Sequence, residues 1–150
     1  MRAIVQRVKE ANVSTEGESI GSIQSGLLIL LGISDNDSQE DIEWMVRKIT
    51  SMRIFPDDSG QMNKSLNDIN GELLIVSQFT LYASTKKGNR PSFTKAAPPS
   101  IAIPLYESFV KSAEAAIQKN CATGKFGTDM QVSLTNDGPV TIMIDSHLRE

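Results

Sequence analysis

Glu72-Leu73-Leu74-Ile75-Val76-Ser77-Gln78-Phe79-Thr80-Leu81-Tyr82 is the stretch that decides the architecture. Leu73 to Val76 is an unbroken apolar run behind a turn signal, Asn70-Gly71, and reads as a strand buried on both faces in the middle of a sheet. Such a strand should stay apolar to its end. This one delivers Ser77, Gln78 and Thr80, with Phe79 and Leu81 between them. Polar groups at the end of a rigid buried strand either need partners or serve a site. Spacing alone leaves both readings open: side chains that satisfy nearby backbone groups, or chemistry.

Outward from this run, Gly26 opens a second doubly buried strand, Leu27-Leu28-Ile29-Leu30-Leu31-Gly32-Ile33. Residues 2–8 have strand composition, with Ile4, Val5 and Val8, while Val13 to Thr15 and Ser19 to Ile23 flank a hairpin turn at Glu16-Gly17. Ile42, Met45, Val46, Ile49 and Met52 follow helical spacing behind an N-cap at Ser38, with Glu40 and Asp41 at the positive end and Arg47, Lys48 and Arg53 toward the negative end. Trp44 lies off that stripe and is expected on a flank or at an interface. A second helix is expected with Pro104 in its first turn and Leu105, Phe109, Ala113, Ala116 and Ile117 along one face. Met130, Val132 and Leu134 then alternate as a half-exposed strand, Asn136-Asp137-Gly138 reads as a turn, and Val140 to Ile144 as the last strand. Strands, helix, strand, loop, helix, strands give an α+β fold in three layers, α/β/β, with amphipathic helices on one sheet and a second sheet behind it.

One hundred and fifty residues fit a single domain, 1–150, with a proper core. The longest apolar run, Leu27 to Leu31, is far too short for a bilayer, and the first residues lack the apolar core of a signal peptide. Cys121 is the sole cysteine, so no intrachain disulfide forms, which fits a reducing cytoplasm. A net charge of −3 argues against coating nucleic acid by bulk attraction, yet Lys86, Lys87, Arg90 and Lys95 form a local basic stretch without an acid among them. That stretch lies in the long loop from Thr85 to Pro99, which Phe93 is expected to anchor. A calcium loop from Asp35 fails, because Glu40 and Val46 stand where glycine and glutamate belong. Asp57-Asp58 reads as turn chemistry, and no His/Cys/Asp cluster suggests a metal. His147, the only histidine, is expected near a frayed end.

Three motifs stand in order: Ser77-Gln78-Phe79-Thr80-Leu81, Gly88-Asn89-Arg90-Pro91-Ser92-Phe93 and Asn136-Asp137-Gly138-Pro139-Val140-Thr141. With the opening Ala3-Ile4-Val5-Gln6-Arg7-Val8 and the segment Thr123-Gly124-Lys125-Phe126-Gly127, they resemble the D-aminoacyl-tRNA deacylase family over essentially the whole chain. The resemblance implies hydrolysis of the ester between a D-amino acid and the 3′-terminal adenosine of tRNA, in the cytoplasm. It implies a homodimer with active sites at the interface; no cofactor, metal, membrane or DNA partner is expected. It also implies a cis peptide bond at Gly138-Pro139, inserted into the partner's site with its carbonyls toward the substrate α-amino side. A D-residue directs its amino group to those carbonyls and its side chain to solvent, whereas an L-residue in the same pose drives its side chain into backbone. Glycine has no side chain to clash and should pass.

Under this resemblance, Ser77, Gln78, Phe79 and Thr80 stabilise the oxyanion and place the ribose, whose 2′-OH helps activate water. Thr80 as a nucleophile is the competing assignment, but no His or Lys base is identifiable for it. Phe79, Phe126 and Met130 are candidates for the adenine pocket, with core packing equally open for Met130. Arg7 is a candidate to hold the Gly138-Pro139 turn, against a surface salt bridge, and Lys86, Lys87 and Arg90 to meet tRNA phosphates. Two rivals remain: a module that binds the tRNA terminus without cleaving it, and a general esterase.

Overall fold

A computed structural model describes residues 1–150. The chain opens as an antiparallel meander of β1 (Arg2–Thr15), β2 (Glu18–Ile23) and β3 (Gly26–Gly32). Glu16 and Gly17 both take positive φ, 50° and 80°, as a two-residue hairpin turn between twisted strands demands. Helix α1 (Gln39–Ser51) follows, then a short β4–β5 ribbon (Phe55–Pro56, Met62–Lys64) and β6 (Glu72–Ser77). A 3₁₀ turn, Phe79–Tyr82, leads into the long loop and helix α2 (Pro99–Ile117), then β7 (Ala122–Thr123) and β8 (Gln131–Asp145).

The main sheet runs β2-β1-β3-β6-β7, and β8 pairs along β1. The β3–β6 pair is parallel, from Gly26 opposite Glu72 to Leu31 opposite Ser77. Their alternate residues enter two cores, which is why neither strand shows a polar face. Leu27, Ile29, Leu31, Leu73 and Ile75 join the larger core under α1 and α2. Leu28, Leu74 and Val76 join a smaller one with Val8, Ala11, Val13 and Ile23. The three layers of an α+β fold are thus present, but the second β layer is not a detached sheet. It is the far half of β1, with β2 and the start of β8, folded back over β3 and β6.

Three boundaries differ from the sequence reading. The segments expected as separate strands at 2–8 and 13–15 are one strand, β1, shared between both layers. Asn136-Asp137-Gly138 is not a hairpin turn ending a strand. It begins a bulge inside the continuous β8: Val8 pairs with Asn136 and Gln6 with Thr141, so the single residue Arg7 faces Asp137 to Val140. Helix α2 starts at Pro99, in its first turn, which places Pro104 inside the helix. Pro104 has no N–H for the carbonyl of Ser100, a small loss because Ser100 is exposed.

Helix α1 forms as its stripe predicts, with Ile42, Met45, Val46 and Ile49 buried. Asp41 accepts from the N–H and the hydroxyl of Ser38, both at 2.9 Å, and closes the N-terminus. Trp44 is half-buried on the flank, with the Arg149 guanidinium 4.8 Å from its ring centroid.

Candidate active site

The end of β6 opens into a cleft of about 340 Å³, lined by Ser77, Gln78 and Phe79. Phe126, Gly127, Thr128 and Met130 form one wall, and Ala97 and Ala102 lie in the lining by the start of α2. Parallel pairing of β6 with β7 and a Gly124 N–H to Ile75 carbonyl bond of 3.2 Å bring these distant segments together. Two small residues leave the space: Ala102 in the first turn of α2, and Ala97, whose N–H donates to the Ile33 carbonyl at 2.9 Å. Tyr106 braces the wall from behind. Its hydroxyl donates to the Ile75 carbonyl at 2.7 Å, its ring lies 6.1 Å from that of Phe126, and burial pushes its pKa up. Sequence reasoning passed over Tyr106, although a tyrosine on an otherwise apolar helix face signals a buried hydroxyl with a partner.

Within the Ser77 to Thr80 run the roles divide. The Gln78 N–H donates to the Leu31 carbonyl at 2.7 Å. Its side-chain amide donates to the Thr80 hydroxyl. Thr80 is not part of the cleft lining. Phe79 is 56% exposed and packs against Phe93, at 5.1 Å between ring centroids and 77° between planes.

Gly138 and Pro139 do not line this cleft. They are exposed at the tip of the β8 bulge, and the peptide bond between them is cis. Arg7 is only 8% exposed, and it both pairs with the part-exposed Asp137 and bonds to the main chain of the turn. Its Nε donates to the Asp137 carbonyl at 3.0 Å and lies 3.3 Å from the Asp137 carboxylate, while Nη1 donates to the Ile54 carbonyl. The Asn136 amide closes the base of the bulge: Nδ2 donates to Thr141 Oγ1 at 3.0 Å and Oδ1 accepts from the Val140 N–H at 3.3 Å. Register separates this turn from the cleft. Arg7 pairs with Leu27, whereas the cleft begins at Leu31 and Ser77, four residues along the strands or about 13 Å. Across the sheet, β8 and β6 are three strand spacings apart, or about 14 Å.

The loop after the 3₁₀ turn is closed by paired main-chain bonds between Ser84 and Ser92, at 2.8 and 2.9 Å. Lys86, Lys87 and Arg90 on it are exposed and are in no ion pair.

Elsewhere the fold removes competing chemistry. Burial pushes the Cys121 thiol up to about 12, so the reactive thiolate is scarce near neutrality. Asp57 accepts from the N–H groups of Ser59 and Gln61 at 2.8 and 2.9 Å and shapes its own turn. Asp37, Asp41 and His147 do converge, with ligand atoms within 4.8 Å of one another, a cluster that sequence separation hides. Asp37 is occupied by the Ser34 N–H at 2.8 Å and by His147 Nε2 at 2.8 Å. His147 is therefore tied to the start of α1 rather than frayed.

The family described as D-Tyr-tRNA(Tyr) deacylase matches residues 4–145, from the first half of β1 to the end of β8. The chain belongs to this deacylase family. It is 58% identical to a D-aminoacyl-tRNA deacylase of Flavobacterium johnsoniae and 56% identical to one of Bacteroides thetaiotaomicron, with both chains covered completely in each case. Among solved structures it is similar to one described as c-Myc DNA Unwinding Element Binding Protein, at 45% identity and a TM-score of 0.90 over 97% of this chain and 98% of that one. A probable eukaryotic D-amino acid tRNA deacylase, at 18% identity and a TM-score of 0.80, covers 95% of this chain and 97% of its own and shows the shared fold. As a member of the deacylase family the chain is a hydrolase of ester bonds. No helix in it is long and apolar enough to cross a membrane.

Proposed function

We propose that this deacylase removes D-amino acids, and glycine, from the 3′ end of tRNA in the cytoplasm, at sites completed across a homodimer. The observation that carries this reading is a division of parts. The cleft at the end of β6 has an apolar wall and a polar rim, while the exposed Gly138-Pro139 turn stands well away from it. A single protomer holds the pocket and the filter but does not combine them. A two-fold dimer brings the turn of each subunit to the cleft of the other.

The terminal adenine lies against Phe126 and Met130, and Ser77 and Gln78 place its ribose. The Gln78 N–H is already given to Leu31. The oxyanion donor is therefore the N–H of Phe79, which lines the cleft, begins the 3₁₀ turn and has no partner within it. Water activated by the ribose 2′-OH attacks the ester carbonyl. The bond from that carbon to the 3′-oxygen breaks, the freed oxygen takes a proton, and the D-amino acid leaves. Thr80 serves by holding the Gln78 amide rather than as nucleophile, since its hydroxyl lies outside the cleft and the only histidine is bound to Asp37. Arg7 fixes the filter from beneath.

Matched D- and L-aminoacyl-tRNA provide the test. The expected result is rapid release of D-residues and glycine with L-residues left intact. Both esters surviving supports a binding module. Cleavage of free amino-acid esters as fast as aminoacyl-tRNA supports a general esterase.

The basic loop makes a separate prediction. Changing Lys86, Lys87 and Arg90 together to glutamine weakens tRNA binding and flattens the log–log salt dependence by about 2. Filter binding across a salt series measures it, and an unaltered slope removes the loop from the contact.

A further inference from the structure

Phe79 keeps 56% of its surface exposed although only Gln78 separates it from a buried strand. It stands at the mouth of the cleft, braced against Phe93. Phe93 in turn follows directly on Ser92, one of the two residues that close the loop carrying Lys86, Lys87 and Arg90. The aromatic pair is therefore joined to the base of the cationic loop. From Leu73 to Tyr106 there is no aspartate or glutamate, in a chain whose net charge is −3. An exposed ring beside an acid-free cationic loop is the combination that single-stranded nucleic acid recognises, because a base stacks on the ring and its phosphate meets the cation.

The cleft, at about 340 Å³, is at the small end of the range for ligand sites and suits one nucleoside. A following nucleotide must lie outside it, over the rim where Phe79 is. We infer that Phe79 and Phe93 form a second stacking subsite, which takes the base on the 5′ side of the terminal adenosine. The loop cations then meet the phosphates that join these nucleotides. This rests on the cleft being the adenosine site and adds a subsite to it. The partner's turn meets the substrate's amino group, and the loop cations favour RNA over more of that acidic chain at this rim. The subsite reads no particular base, because every base has a flat face. It makes the enzyme prefer an ester carried on a strand over one carried on a lone nucleoside.

The test compares D-aminoacyl-adenosine, a D-aminoacylated dinucleotide ending in adenosine, and D-aminoacyl-tRNA. In the wild type, adding the 5′ nucleotide is expected to lower KM roughly tenfold. Phe93→Ala removes that advantage, raising KM for the dinucleotide and the tRNA with kcat retained, and leaves D-aminoacyl-adenosine unaffected. Phe93→Trp restores the advantage. Phe93→Leu, which keeps the apolar volume, is expected to follow the alanine variant and serves if that variant does not fold. Equal losses on all three substrates, or no loss on any, overturn the inference. So does dissociation of the dimer by Phe93→Ala in light scattering, which would put a second subunit on the ring. If the wild type cleaves none of the three, the deacylase reading fails first and the subsite falls with it.

Discussion

Gly138→Ala is expected to lower the rate on D-aminoacyl-tRNA by about a hundredfold while the chain stays folded, because a displacement near 1 Å at a positioning group has that effect. Gly138 has φ of +126°, a conformation that side chains rarely adopt. A Cβ there would stand 2.9 Å from Arg7 Nη2 and 2.9 Å from Val140 Cγ2. Both neighbours are held, Arg7 by two carbonyls and Val140 by the Asn136 amide. The bulge must therefore move rather than its surroundings. Residues 138 and 139 are exposed, so that movement empties no core, and a strained residue costs about 1–3 kcal/mol. Thermal unfolding should shift modestly and kcat/KM should collapse. A variant with wild-type kcat/KM would show that the turn plays no part in the site.

Arg7→Ala should be the more damaging change to stability, on the order of 3 kcal/mol, since it removes one partner from a buried polar network. Arg7 breaks the apolar alternation of β1, opposite Leu27. Its guanidinium spans two carbonyls in different parts of the fold, Asp137 in the bulge and Ile54 at the entry to β4. A lysine ammonium is a point charge and does not reproduce that span. Arg7→Lys is therefore expected to recover part of the stability but little of the activity. Urea unfolding and deacylation read the two effects separately. An unchanged urea midpoint in Arg7→Ala would contradict the assigned network.

These residues also show how far the sequence carries. Leu73 to Val76 and Leu27 to Leu31 announced strands covered on both faces, because no polar residue interrupts them, and the two cores bear that out. The stripe of α1 and its Ser38 cap were equally readable. Asn136-Asp137-Gly138 was not, because the residues that favour a turn also favour a bulge. Only the pairing of Val8 with Asn136 and Gln6 with Thr141 distinguishes them. The start of α2 was misplaced because Pro99 and Pro104 are both admissible in a first turn. At the site, Ser77, Gln78, Phe79, Phe126 and Met130 share one cleft. Tyr106, Ala97 and Ala102 went unread, since a brace and two small residues acquire meaning only from what packs on them. Asp37 and His147 meet across 110 residues of chain, a contact that no local pattern encodes.

Subunit complementation bears most directly on the claim that one subunit's turn completes the other's pocket. Gln78→Ala disables the pocket of its own chain and Gly138→Ala disables the turn, so each variant alone should be nearly inactive. Random exchange makes about half the dimers mixed, each with one intact pocket facing one intact turn, so about a quarter of the wild-type rate should return. If pocket and turn belonged to the same subunit, every site in the mixture would carry a defect and no activity would return.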